Sequence, residues 1–137
     1  MNRRLARLRA VQVLYQVDLT GVEWQRALEN TLEEDETADE FLTTVIEGTL
    51  EEKEGIDAQL TEHLDNWTIT RVGNIDRNIL RESVYEMLFV EDIPLHVSVN
   101  EAIELGKAFG GKESGSFING VLSNVLKECE LKKEEES

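Results

Sequence analysis

The segment Arg3-Arg4-Leu5-Ala6-Arg7-Leu8-Arg9-Ala10-Val11-Gln12-Val13-Leu14-Tyr15-Gln16-Val17-Asp18-Leu19 decides how this chain folds. No proline or glycine interrupts it, and its apolar residues recur at helical spacing. At about 100° per residue, Ala6, Ala10, Val13, Leu14 and Val17 fall in one sector about 100° wide, the width of a core-facing stripe. The spacing predicts a helix over Arg4–Leu19 that stops near Gly21. Arg4, Arg7 and Tyr15 share a second sector about 80° wide, with Leu8 beside it. Gln12 lies beyond Tyr15, Arg9 points elsewhere, and Arg3 precedes the predicted helix as an arm.

The helical period continues outward from this segment. Trp24, Ala27 and Leu28 predict a helix over Glu23–Leu32, and Glu33-Glu34-Asp35-Glu36 reads as an acidic turn. Phe41, Leu42, Val45, Ile46 and Leu50 predict a helix over Thr37–Glu54 that kinks at Gly55 and continues over Ile56–Leu64. Asp65-Asn66-Trp67-Thr68 breaks the pattern and marks a boundary between subdomains 1–66 and 67–130. Thr70 is the expected N-cap of a helix over Arg71–Val90, ended by Asp92-Ile93-Pro94. Ser98 and Glu101 form a capping-box pattern for a helix over Val99–Phe109. Gly110-Gly111 ends that helix, and the last runs over Glu113–Cys129. Residues 131–137 form a charged tail, expected to fray. About seven helices and no sustained alternation make the expected class all-α, with two packed helical subdomains in one domain.

Composition agrees with that class and narrows function. The 137 residues are 40% hydrophobic, with nine glycines and Pro94 alone as proline. No apolar run approaches the roughly 18 residues of a membrane span. The N-terminus lacks the apolar stretch of a secretory signal. Cys129 is the single cysteine, which fits a reducing cytoplasm and no disulfide framework. The net charge is −15, yet residues 1–17 hold Arg3, Arg4, Arg7 and Arg9 and no acid. Residues 18–66 hold 16 acids against Arg26 and Lys53. An acidic body repels nucleic acid except at that basic tip, and attracts a basic protein partner.

Catalysis has no visible basis. His63 and His96 are isolated, Cys129 has no evident base, and no glycine-rich phosphate loop occurs. No catalytic residue, metal or cofactor is expected. For the first helix two readings stand on the residues alone. One is a solvated basic face with Tyr15 at the core margin. The other is a nucleic-acid surface, with arginine forks for phosphate and a tyrosine face for stacking.

Five segments in order carry a resemblance. They are Arg3-Arg4-Leu5-Ala6-Arg7 with Ala10-Val11-Gln12-Val13-Leu14-Tyr15; Trp67; Asp76-Arg77-Asn78-Ile79-Leu80-Arg81 with Tyr85-Glu86; Ile93-Pro94 with Val97 and Asn100-Glu101-Ala102-Ile103-Glu104-Leu105; and Phe117-Ile118-Asn119-Gly120-Val121-Leu122. Together they resemble the NusB transcription antitermination family over nearly the whole chain. The resemblance implies two antiparallel helical bundles packed across each other. It implies binding of boxA RNA with the ribosomal protein NusE, in rRNA synthesis, within an elongation complex with other Nus factors. It implies RNA contact at Arg3, Arg4, Arg7, Gln12 and Tyr15, and partner contact at Asp76, Glu113 and Phe117. For Phe117 a core position is the alternative; Asn100-Glu101 and Asn119-Gly120 read as structural. A homodimer could cover the RNA surface. Two other functions fit the residues: the NusB-like domain of an rRNA cytosine methyltransferase, which the end at Ser137 disfavours, or an acidic protein-binding module.

Overall fold

Asn2 starts the first helix: its side-chain oxygen accepts from the Leu5 N–H at 2.8 Å, in the N-cap position. In this computed structural model, which describes residues 1–65 and 68–136, helix α1 therefore spans Arg3–Thr20. Arg3 belongs to its first turn rather than to an arm. The helix ends where the Gly21 N–H returns to the Val17 carbonyl.

Five further helices follow: α2 (Trp24–Thr31), α3 (Glu40–Glu51), α4 (Lys53–Thr61), α5 (Asn74–Phe89) and α6 (Leu95–Glu136). A 3-10 turn covers Ile69–Arg71, and the described residues contain no strand. The expected all-α class holds. Of the predicted break at 65–68, Asn66 and Trp67 lie outside the described residues.

Several boundaries differ from the sequence expectation, each for a local reason. Asp39 accepts from the Leu42 N–H at 2.9 Å, so α3 starts at Glu40 rather than Thr37. The bend after α3 falls at Glu52, not Gly55. Thr70 caps nothing: its hydroxyl meets Thr68, and α5 starts after Gly73. Pro94 directly precedes α6, where its missing N–H costs nothing. The helix thus begins at Leu95, and Ser98 is buried inside it instead of capping it. The break at Gly110-Gly111 is a sharp one at Gly111, with φ 76° and ψ −165°. That backbone is strained for any residue carrying a Cβ. The residues beyond Cys129 continue helically to Glu136.

One core runs through the fold, joining Ala6, Ala10 and Val13 of α1 to Val45 and Ile46 of α3, Ile79, Leu80 and Val84 of α5, and Ile118, Leu122 and Val125 of α6. Helix α3 approaches α5 closely at Gly48, against the Tyr85 ring. A polar cluster lies inside this core. The Arg7 guanidinium donates to both Glu86 oxygens at 2.9 to 3.2 Å, and Ser98 Oγ donates to Glu86 Oε1 at 2.9 Å. Glu82 is buried beside them. Burial, then the neighbouring Glu86 charge, pushes the Glu82 carboxyl well above its ordinary value, so it keeps its proton. Burial also opposes ionisation of Glu86, but hydrogen bonds from Glu82, Arg7 and Ser98 outweigh it and hold Glu86 below its ordinary value. The cluster therefore balances one guanidinium against one carboxylate.

Three outcomes follow for stability. Arg7→Ala leaves the Glu86 carboxylate buried and unpaired, and costs about 3–5 kcal/mol in urea denaturation; a loss under about 1 kcal/mol contradicts the pairing. Gly48→Ala drives a methyl group into the Tyr85 ring and costs about 1–3 kcal/mol, read as a lower urea midpoint at unchanged slope. In the unfolded chain Glu82 ionises near 4.5, whereas the folded chain holds the proton. Its contribution is complete below that pH and is lost as pH rises towards its folded pKa. Glu82→Gln should flatten that decline in a pH series of denaturation curves. An unchanged slope contradicts a protonated Glu82.

Candidate nucleic-acid interface

The core face of α1 is set by Ala6, Ala10, Val13 and Leu14, so its remaining positions are sorted by what packs beside them. Arg3 lies over the Phe41 ring, its guanidinium carbon 3.9 Å from the centroid. Arg4 is exposed and makes a two-pronged contact with Glu101, at 3.1 Å for both bonds. A pair so open to water contributes little stability and exchanges readily for another anion. Glu101 thus serves Arg4 rather than a capping box.

Arg7 departs from the exposed arginine face. Only 4% of it is accessible, and Glu86 takes its fork. The wheel placed it with Arg4 and Tyr15, but Glu86 of α5 and the Phe41 ring of α3 meet it at the edge of that sector. Arg9 is held by Glu36 through two 2.8 Å bonds, with Glu33 3.7 Å away. The Arg9 Nη1 also donates to Gln12 Oε1 at 2.9 Å. The Arg9 hydrogen bond and its charge hold the Glu36 carboxyl below its ordinary range. The acidic turn is therefore fastened to α1.

Gln12 and Tyr15 line an open cleft of about 550 Å³, with Phe109, Ile75, Gln16 and Thr31 on the other walls. Phe109, at the end of the first arm of α6, is 38% exposed. Phe109 lines the same cleft as Tyr15, which gives the cleft two aromatic side chains and several amide or hydroxyl groups. A second cleft of about 360 Å³ adjoins it and shares Tyr15, Ile75 and Phe109; Asp76, Gly110 and Ser114 form its far side. Sequence reading missed Phe109 and Ile75. The signal for Phe109 was an aromatic directly before a glycine pair, where a helix end leaves it uncovered.

Of the three expected partner-contact residues, Asp76 lines that far side, and Glu113 and Phe117 lie on α6. Ser114 Oγ donates to Asp76 Oδ2 at 3.3 Å, joining the start of α5 to α6. Burial raises the Asp76 carboxyl above its ordinary value, against the Ser114 bond. Glu113 is exposed beside Ser114, and Phe117, one turn on, is 36% exposed. Phe117 lies at the surface rather than in the core.

A second polar clamp holds the Tyr15 end of α1. Asp18 accepts from Arg77 at 2.9 Å, from Asn78 at 3.0 Å and from Arg81 at 3.2 Å, and Arg81 also grips Asp57. Burial opposes ionisation of Asp18, but these donors hold its carboxyl below the ordinary value. Arg77 and Arg81 are thereby used structurally, whereas Arg71 and Lys112 are exposed. Among the described residues, Glu62, His63 and Glu128 are the one group with metal-type donor atoms within 4.8 Å of each other. His63 Nε2 lies 2.7 Å from Glu128 Oε1, and Gln59 donates to the other Glu128 oxygen. That arrangement is a tie between α4 and α6. Among the described residues no helix is long and apolar enough to cross a membrane.

Comparison with known proteins agrees with this architecture. The transcription antitermination protein NusB of Halalkalibacterium halodurans is 51% identical over 126 residues, covering 92% of this chain and 94% of that protein. Its counterpart in Shouchella clausii is 54% identical over 124 residues, covering 90% and 93%. Among solved structures, NusB of T. maritima superposes with a TM-score of 0.85 at 37% identity, covering 93% of this chain and 92% of that one. A chain from the crystal structure of antitermination factors NusB and NusE in complex with dsRNA gives 0.83 at 29% identity, covering 92% and 96%. The NusB family model matches residues 4–127, and with relatives of this identity over nine-tenths of its length, the chain belongs to the NusB family.

Proposed function

We propose that this chain is an RNA-binding antitermination adaptor, which holds boxA-type RNA together with ribosomal protein NusE in support of rRNA transcription. One observation carries the reading: Tyr15 and Phe109 line a single open cleft on the helix that also presents exposed Arg3 and Arg4. A flexible single strand suits such a surface. Its bases stack on the two rings while the arginines meet phosphates. Gln12 supplies polar contact within the cleft. Arg7 takes no part in binding, because reaching solvent would strip Glu86 of its counter-charge. The solved complex of NusB and NusE with dsRNA supports RNA and NusE as the ligands.

NusE takes the adjoining face, with Phe117 as an aromatic anchor rimmed by Asp76 and Glu113. A chain of net charge −15 draws a basic ribosomal protein to it. The RNA and partner faces meet at Phe109 and Ile75, so each ligand raises the effective concentration of the other. The ternary unit then joins an elongation complex with other Nus factors in the cytoplasm. A second copy seated on α1 would cover the same cleft, so homodimerisation competes with RNA. The role is one of binding, without a reaction of its own.

A salt-dependent titration of boxA RNA, with and without NusE, tests the proposal. Affinity is expected to be modest alone and to rise with NusE; equal affinity in both conditions contradicts the adaptor reading. Arg3→Glu with Arg4→Glu should abolish binding while leaving the melting curve intact. Tyr15→Ala and Phe109→Ala should each cost about 1–3 kcal/mol of RNA affinity at an unchanged salt slope. Binding unaffected by the charge reversal would favour a purely protein-binding module.

A further inference from the structure

Beside the cleft on α1, two side chains that nothing in the RNA reading requires, Glu36 and Arg9, lead to Gln12, which that reading uses. Glu36 grips Arg9 through two 2.8 Å bonds, and the Glu33 N–H donates to Glu36 Oε1 at 3.0 Å, which closes the acidic turn on itself. Arg9 then donates from Nη1 to Gln12 Oε1 at 2.9 Å. A guanidinium has donors only. The Gln12 atom facing it must therefore be the amide oxygen, and the NH2 group is what Gln12 has left to offer. Gln12 lines the cleft with Tyr15 and Phe109. Held this way, it presents a donor at a cleft that Tyr15 and Phe109 also line.

We infer that the acidic turn is a positioning device: Glu36 holds Arg9, Arg9 holds the Gln12 amide, and the cleft thereby takes a nucleobase that offers a carbonyl or ring-nitrogen acceptor. The inference rests on the RNA-binding reading and deepens it. A phosphate is the poorer occupant. Arg9 is only 12% exposed and already neutralised, and the Glu33 carboxylate stands at the same cleft with 70% of its side chain exposed. A base, being uncharged, pays no such repulsion and gains the aromatic walls. Neither Glu36 nor Arg9 need touch the RNA. Without them the amide would be free to flip, and its oxygen would face the acceptor as often as its NH2.

This separates two roles that an acidic loop next to an RNA site could play. A loop that merely repels RNA would weaken binding, and its neutralisation would strengthen it. A loop that orients Gln12 does the reverse, and does so only while Gln12 is present. Arg9 freed from its acids would instead gain a phosphate and steepen the salt dependence by about one ion.

The test is a double-mutant cycle in the full chain, titrating boxA RNA with NusE present at several salt concentrations. The proteins are wild type, Glu36→Gln, Gln12→Ala and the double variant. Glu36→Gln is expected to weaken binding about five- to tenfold, the scale of one hydrogen bond, at an unchanged salt slope. In the Gln12→Ala background the same substitution should change affinity less than about twofold. Tighter binding by Glu36→Gln, unchanged binding, or an equal loss in both backgrounds overturns the inference. So does a salt slope that moves by about one. Should Glu36→Gln melt early, Arg9→Lys replaces it, since lysine keeps the charge but cannot span Glu36 and Gln12 together; the expected and contrary outcomes are the same. Absence of RNA binding by the wild type would overturn the RNA reading itself, which is distinguishable from a cycle that binds but shows no coupling.

Discussion

The buried pairing of Arg7 with Glu86, braced by Ser98, is the contact on which the other parts of the molecule depend. It joins α1, α5 and α6 at one point. A guanidinium and a carboxylate taken out of water are costly apart, so neither helix moves without leaving a charge unpaired. Eleven residues further along α1, about 16 Å at the helical rise, Asp18 is gripped by Arg77, Asn78 and Arg81. Two polar clamps thus fix both the rotation and the axial position of α1, which apolar contacts alone specify poorly. Everything displayed on the outer side of that helix inherits its position from them.

The same clamps explain how a strongly acidic chain keeps a usable basic tip. Each arginine of α1 has a different internal neighbour: Phe41 for Arg3, Glu101 for Arg4, Glu86 for Arg7 and Glu36 for Arg9. The degree of burial sorts them. Arg7 is committed to the core, Arg9 to the acidic turn, and the pairs of Arg3 and Arg4 lie open to water where exchange is easy. Four arginines in sequence therefore amount to two that can meet an external anion. A modest contact with nucleic acid, reinforced by a neighbouring protein surface, is the natural consequence of that count.

Helical order was legible because it depends on spacing within one segment. The stripe Ala6, Ala10, Val13 and Leu14 is buried as its period requires, and Ile79, Val84, Ile118 and Leu122 behave likewise. Capping was read less well. Ser98 with Glu101, and Thr70 before Arg71, have the right residue types at the right offsets. Yet both hydroxyls found other partners, because Pro94 and Gly73 had already set the helix starts. A local pattern offers a cap; the neighbouring helix decides whether its atoms are free to make it.

The helical class, the main core stripes, the basic tip on an acidic body and the family were legible from residue order alone. All of these are properties of composition and of neighbours within a few residues. Which members of a shared sector reach solvent was set by the packing of helices against one another. Arg4, Arg7 and Tyr15 look equivalent on a helical wheel, but Glu86 of α5 and Phe41 of α3 cover the edge of that sector that carries Arg7 and leave Arg4 at the surface. Phe109 joined Tyr15 across some ninety residues of chain by the same packing of helices, and Arg9, which holds Gln12 from one turn earlier in α1, took its own partner from the acidic turn after α2. Exposure and pairing are set by what packs alongside, and a helix carries no record of its neighbours in its own period.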